Sequence, residues 1–243
     1  MAKKPPQRPE DIFDELLEDL AHALGTDLVS VVLFGSAAAG RYVKGRSDMN
    51  LLIMVSEGAR RTTSRLLPFA GKWAPAGVAP PLVMTPDYLA ASTDVFPIEF
   101  LVMAANHKTL HGEDPLAALA LEPAHLRLQL ERELKGKVTA LRTRLLGSGG
   151  DARALTELSR EALPAFVAFF QAYLELTSGG FPDEPSEVLA ALAQAGLNVE
   201  AFQKLGQVRA GALKPSPPEL VALWEEGIAE LDLISQQVDK LQV

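Results

Sequence analysis

Residues 29–55, VSVVLFGSAAAGRYVKGRSDMNLLIMV, constrain the fold more than any other stretch of the chain. Residues 29–34 are short, β-branched and bounded by glycine, which predicts a buried strand, and residues 51–55 read the same way. Between the two runs stand Gly35 and Ser36, three alanines, and a loop bearing Arg41, Lys44, Arg46 and Ser47. Gly35 permits a sharp turn and a close approach to the backbone. Ser36 is placed to cap a short helix through Ala37, Ala38 and Ala39, and the free N–H groups at such a helix start suit a phosphate. Asp48 and Asn50 are two residues apart at the entrance of the second strand, so their side chains point to one side of the sheet. Two oxygen ligands on one side, beside a phosphate cradle, are what a metal–nucleotide site needs.

The flanking segments extend the pattern. Apolar residues at helical spacing predict a helix over 10–24, closed by Gly25, and a second over 60–73 that Pro68 kinks or divides. Residues 80–84 read as a third strand, and Thr85-Pro86-Asp87 opens a short helix. Residues 96–103, FPIEFLVM, read as a fourth strand with Glu99 as its lone charge, and residues 107–114 as a short strand and turn. A lone carboxylate in an apolar strand needs water, a cation or a metal. After Pro115 every segment reads as helix, over 123–146, 151–176, 187–195, 199–209 and from Ser216 onward, with Pro164 kinking the second. The expected fold class is α+β: a mobile tail (1–9), a domain with a mixed sheet and flanking helices (10–115), and an all-α bundle (116–243).

Charge narrows the partners. The chain of 243 residues has a formal net charge of -8. Splitting it after Ala120 gives 11 basic and 14 acidic residues, then 12 and 17, so neither half is a basic module and a nucleic-acid partner is not expected. Cysteine is absent, which removes disulfides and thiolate metal sites from consideration. The first nine residues lack the apolar core of a secretory signal, and no apolar run is long enough to span a bilayer, so a cytoplasmic protein is expected.

The Gly-Ser turn, about a dozen further residues, and Ser47-Asp48-Met49-Asn50 leading into an apolar strand resemble the signature of the nucleotidyltransferase superfamily. That superfamily includes DNA polymerase beta, aminoglycoside nucleotidyltransferases and the minimal nucleotidyltransferases. The resemblance covers residues 28–115, and a following helical domain is similar to the layout of the aminoglycoside and minimal members. It implies an NTP as substrate or ligand with Mg²⁺ as cofactor. Gly35, Ser36, Arg41, Lys44, Arg46 and Ser47 would bind the nucleotide. Asp48, Asn50 and Glu99 would bind metal, with Asp48 and Glu99 as the catalytic acids. Transfer of a nucleoside monophosphate to a hydroxyl of a small molecule or protein is the implied activity, and a homodimer is among the arrangements it allows. Two departures stand against it. Asn50 replaces the second metal carboxylate, and an amide offers one neutral oxygen where a carboxylate offers two and a charge. Alanines 37–39 occupy positions that are often basic in minimal members. The alternative is therefore a catalytically degenerate protein that binds nucleotide or acts as a regulatory or interaction module. The helical part carries no Arg…His ribonuclease motif and reads as structural.

Overall fold

A computed structural model describes residues 3–59 and 61–243. The first two residues of the expected tail, and Arg60 at the expected start of the second helix, lie outside the described residues. The chain forms two compact units. One holds the residues up to Asp94 together with Phe100–Ala120; the other holds Val95–Glu99 with Leu121–Val243.

In the first unit a 3₁₀ turn (Pro9–Ile12) leads into α1 (Phe13–Leu24). Part of the segment expected to be a mobile tail is held: Pro6 is buried, and the Lys3 ammonium lies 4.1 Å from the centre of the Trp73 ring. β1 (Leu28–Phe34) runs to the Gly-Ser turn, and β2 (Asn50–Val55) returns beside it. α2 (Thr63–Trp73) continues through Pro68 as one helix, and β3 (Leu82–Met84) and α3 (Pro86–Ala90) follow. α4 (Pro97–Ala105), whose first three residues are counted with the second unit, leads into β4 (His107–His111).

Of residues 96–103, expected as a strand, all but Phe96 therefore lie in a helix. The run is apolar without a period, which a buried helix shares with a buried strand. Pro97 at the helix start, Glu99 in its first turn and two terminal alanines favour the helix.

The sheet has the order β3-β2-β1-β4. β1 pairs antiparallel with both β2 and β4, while β2 and β3 are parallel, so the sheet is mixed. Val31, Leu33, Leu51, Ile53 and Val55 face Leu16, Leu20 and Leu24 of α1 and Leu66, Phe69 and Trp73 of α2. Each fully buried side chain of this size contributes about 2 kcal/mol. Val32, Leu52 and Met54 on the opposite face are equally buried.

The second unit is helical: α5 (Pro123–Gly147), α6 (Ala152–Ser178), α7 (Pro185–Gln194), α8 (Glu200–Ala210) and α9 (Pro217–Lys240). Asp151 caps α6 by accepting the Ala154 N–H at 2.8 Å, and Ser216 with Glu219 forms a capping box on α9. Phe202 of α8 meets Phe170 edge-on at 5.0 Å and Phe166 at 6.0 Å. The Trp224 indole N–H is satisfied by the Leu155 carbonyl at 3.2 Å. Among the described residues no helix is long and apolar enough to cross a membrane.

Candidate functional site

β1 ends at Phe34 in extended backbone, and Gly35 then takes φ +78°, a conformation that disfavours any side chain. A single 3₁₀ turn follows (Gly35–Ala37), with Ala37 buried. The expected helix over Ala37–Ala39 is thus one turn, and Phe34 rather than Ser36 stands at its cap with no side-chain cap bond. The Gly35 N–H donates to the Asn106 carbonyl at 2.8 Å. Gly35 therefore has no amide proton left for a phosphate, which would rely on the Ser36 hydroxyl and the N–H groups after it.

The basic loop is tied at its far end. Ser47 Oγ accepts the Val43 N–H at 3.0 Å, and the Ser47 N–H returns to the Val43 carbonyl at 2.8 Å. These bonds hold Lys44 and Arg46 on a tight, exposed turn. Met49 is buried, its N–H bonded to the Gly77 carbonyl at 2.8 Å. With Met49 pointing inward, Asp48 and Asn50 point to the other side by strand alternation. Asp48 is exposed and Asn50 half-buried. Asn50 pairs with Phe34 across the ladder, and a Cβ added at Gly35 would lie 3.4 Å from Asn50 Nδ2. The turn, the loop and the Asp48–Asn50 pair thus meet at one end of β1 and β2.

Glu99 lies at the start of α4. It is exposed in the first turn of α4 and belongs to the second unit, where Gln129 Nε2 donates to its carboxylate at 2.8 Å. The same Gln129 accepts the Ile98 N–H at 2.9 Å. The carboxylate expected to need water, a cation or a metal thus reaches solvent and accepts from a buried glutamine.

The residues at the β1–β2 end do not fit a pair of divalent ions. Within residues 35–50 Asp48 is the one carboxylate, and Asn50 contributes a neutral amide. The strands after β2 among the described residues are β3, LVM, and β4, HKTLH, and neither carries an acid. Phe34 faces His107 on its β4 side. Among the described residues no group of three or more His, Asp or Glu side chains is gathered as for a metal. His107 is occupied by protein partners, Nδ1 lying 2.7 Å from the Ala104 carbonyl oxygen and Nε2 2.9 Å from Asp114 Oδ2. Sequence reasoning missed Asn106 and Gln129, since both act through contacts that no local pattern announces. A cavity of about 450 Å³ lined by Val55, Thr62, Val83, Thr85 and Tyr88 lies at the far end of β2 and contains none of the candidate residues.

A mixed sheet with a Gly-Ser turn after its first strand, an aspartate at the mouth of the second, and a helical bundle after it is the nucleotidyltransferase fold. A crystal structure of spectinomycin adenyltransferase AAD(9) from Enterococcus faecialis, solved with ATP and spectinomycin, superposes on the chain with a TM-score of 0.52. The match covers 95% of this chain and 99% of that one, at 12% sequence identity, and it establishes the shared fold. No family model matches the chain, and no curated protein sequence matches it either.

Proposed function

We propose that this protein binds a nucleoside triphosphate at the β1–β2 end of its first unit, as a catalytically degenerate member of the nucleotidyltransferase fold with a binding or regulatory role. The observation that carries this reading is the Gly35 turn beside Asn50. The backbone keeps the glycine conformation and close approach of a nucleotide turn, while the side chain across the ladder is an amide instead of a carboxylate. Ser36, Arg41, Lys44 and Arg46 are the groups assigned to the triphosphate, with Ser47 holding their loop in shape. Because the structural neighbour was solved with ATP, ATP is the first nucleotide to test.

The test is calorimetric titration of the full chain with the four NTPs, followed by an assay for nucleotidyl transfer to hydroxyl acceptors, aminocyclitols such as spectinomycin among them. Binding without transfer, and transfer that emerges in Asn50→Asp, is the expected result. Absence of binding to every NTP by a demonstrably folded protein would end the nucleotide reading.

A second reading is an active enzyme moving a nucleoside monophosphate to a small-molecule or protein hydroxyl. It is favoured by Asp48, which stands exposed at the strand mouth beside the turn. Acceptor-dependent pyrophosphate release by wild type, lost in Asp48→Ala, would establish it and end the degenerate reading. Glu99→Ala then decides whether that carboxylate takes part.

A further inference from the structure

We infer that the β1–β2 end takes polyphosphate as the free anion, with no divalent cation between ligand and protein. The inference rests on the nucleotide reading above and follows from the mismatch between this donor set and a metal pair. Residues 35–50 contain Arg41, Lys44 and Arg46 against the single acid Asp48, a local net charge of +2 in a chain whose net charge is -8. A metal-bridged triphosphate needs carboxylates on the protein side; a bare triphosphate needs cations and N–H donors.

The geometry supplies the second kind. Asn50 Nδ2 lies against the Gly35 turn, close enough that a Cβ there would sit 3.4 Å away. A donor therefore stands where a carboxylate would repel phosphate oxygens. Phe34, between Asn50 and His107 in the ladder, adds no charge. Lys44 and Arg46 are exposed and carry no ion pair among the described residues, so neither is neutralised by a neighbouring acid. The Val43–Ser47 bonds fix the turn that presents them.

Magnesium complexation lowers the charge of the nucleotide, so a site built this way prefers the uncomplexed form. The experiment titrates the full chain with ATP and with inorganic tripolyphosphate, in EDTA and in excess MgCl₂. Binding of both probes is expected to be several-fold tighter in EDTA and to weaken steeply as salt rises. Lys44→Glu with Arg46→Glu is expected to weaken binding by about tenfold or more, with the melting temperature checking that the variant folds. Asn50→Asp is expected to weaken binding in EDTA and to make magnesium favourable. Binding of ATP only with magnesium, or binding indifferent to the Lys44 and Arg46 reversals, overturns the inference and leaves the nucleotide reading standing. No binding of either probe in either buffer overturns both.

Discussion

At the scale of single residues, two glycines with nearly the same backbone angle meet different surroundings. Gly112 has φ +74°, and a Cβ there would fall 2.1 Å from the Val29 carbonyl oxygen, a backbone atom in a paired strand. Gly35 has φ +78°, but its nearest obstacle is the Asn50 side chain at 3.4 Å. Gly112→Ala is therefore expected to cost about 3 kcal/mol or more, left-handed strain and overpacking together, and Gly35→Ala about 1 kcal/mol. Urea denaturation of the two variants measures the difference; equal losses would mean that the strand yields to the new methyl group. Asp114 gives a pH signature. Burial disfavours its charge, but the His107 side chain and the Leu116 and Ala117 N–H groups outweigh that and hold its pKa below the ordinary carboxylate value. A carboxylate depressed in the folded state stabilises above its unfolded pKa of about 3.9 and loses that contribution as pH falls through the folded value. The stability gap between wild type and Asp114→Asn should accordingly narrow from about pH 5 downward. A gap that stays constant to pH 3 would show that Asp114 acts without its charge.

At the scale of elements, the start of α4 hangs on one buried side chain. Gln129 accepts the Ile98 N–H and donates to Glu99, satisfying a first-turn amide and fixing a first-turn acid together. Gln129→Ala is expected to cost about 1–3 kcal/mol, seen as a lower urea midpoint with an unchanged slope. This element also marks where sequence reading stops. β1, the turn and β2 were legible because β-branched runs, a glycine breaker and strand alternation are local signals. The helices of the second unit were legible through their apolar spacing, prolines and caps. Residues 96–103 were not, since a short apolar run fits a strand and a buried helix alike, and the glutamine that receives its N-terminus lies on another helix. The same holds for the Gly-Ser turn. Its shape was readable from Gly35, but the use of the Gly35 N–H depends on the Asn106 carbonyl, a partner brought in by β4. The grouping of Asp48 and Asn50 was read from the two-residue period alone.

At the scale of the whole molecule, each unit carries one of the two tryptophans: Trp73 in the first and Trp224 in the second, both fully buried. Single-tryptophan variants, Trp73→Phe and Trp224→Phe, thus report the units separately by fluorescence. Phe202→Ala, which empties a site among Phe166 and Phe170, should cost about 3–5 kcal/mol and displace the Trp224 transition more than the Trp73 transition. Equal displacement of both would show that the units melt as one. The path of the chain has a consequence for inheritance. The second unit claims Val95–Glu99 from inside the span of the first, so the chain crosses between units three times, after Asp94, Glu99 and Ala120. No single splice can lift either unit out whole: a break after Ala120 leaves Ile98 and Glu99 on one gene fragment and the Gln129 that holds them on the other. Shuffling by recombination, which trades domains as uninterrupted segments, would break this pair, so the two units should travel through lineages together.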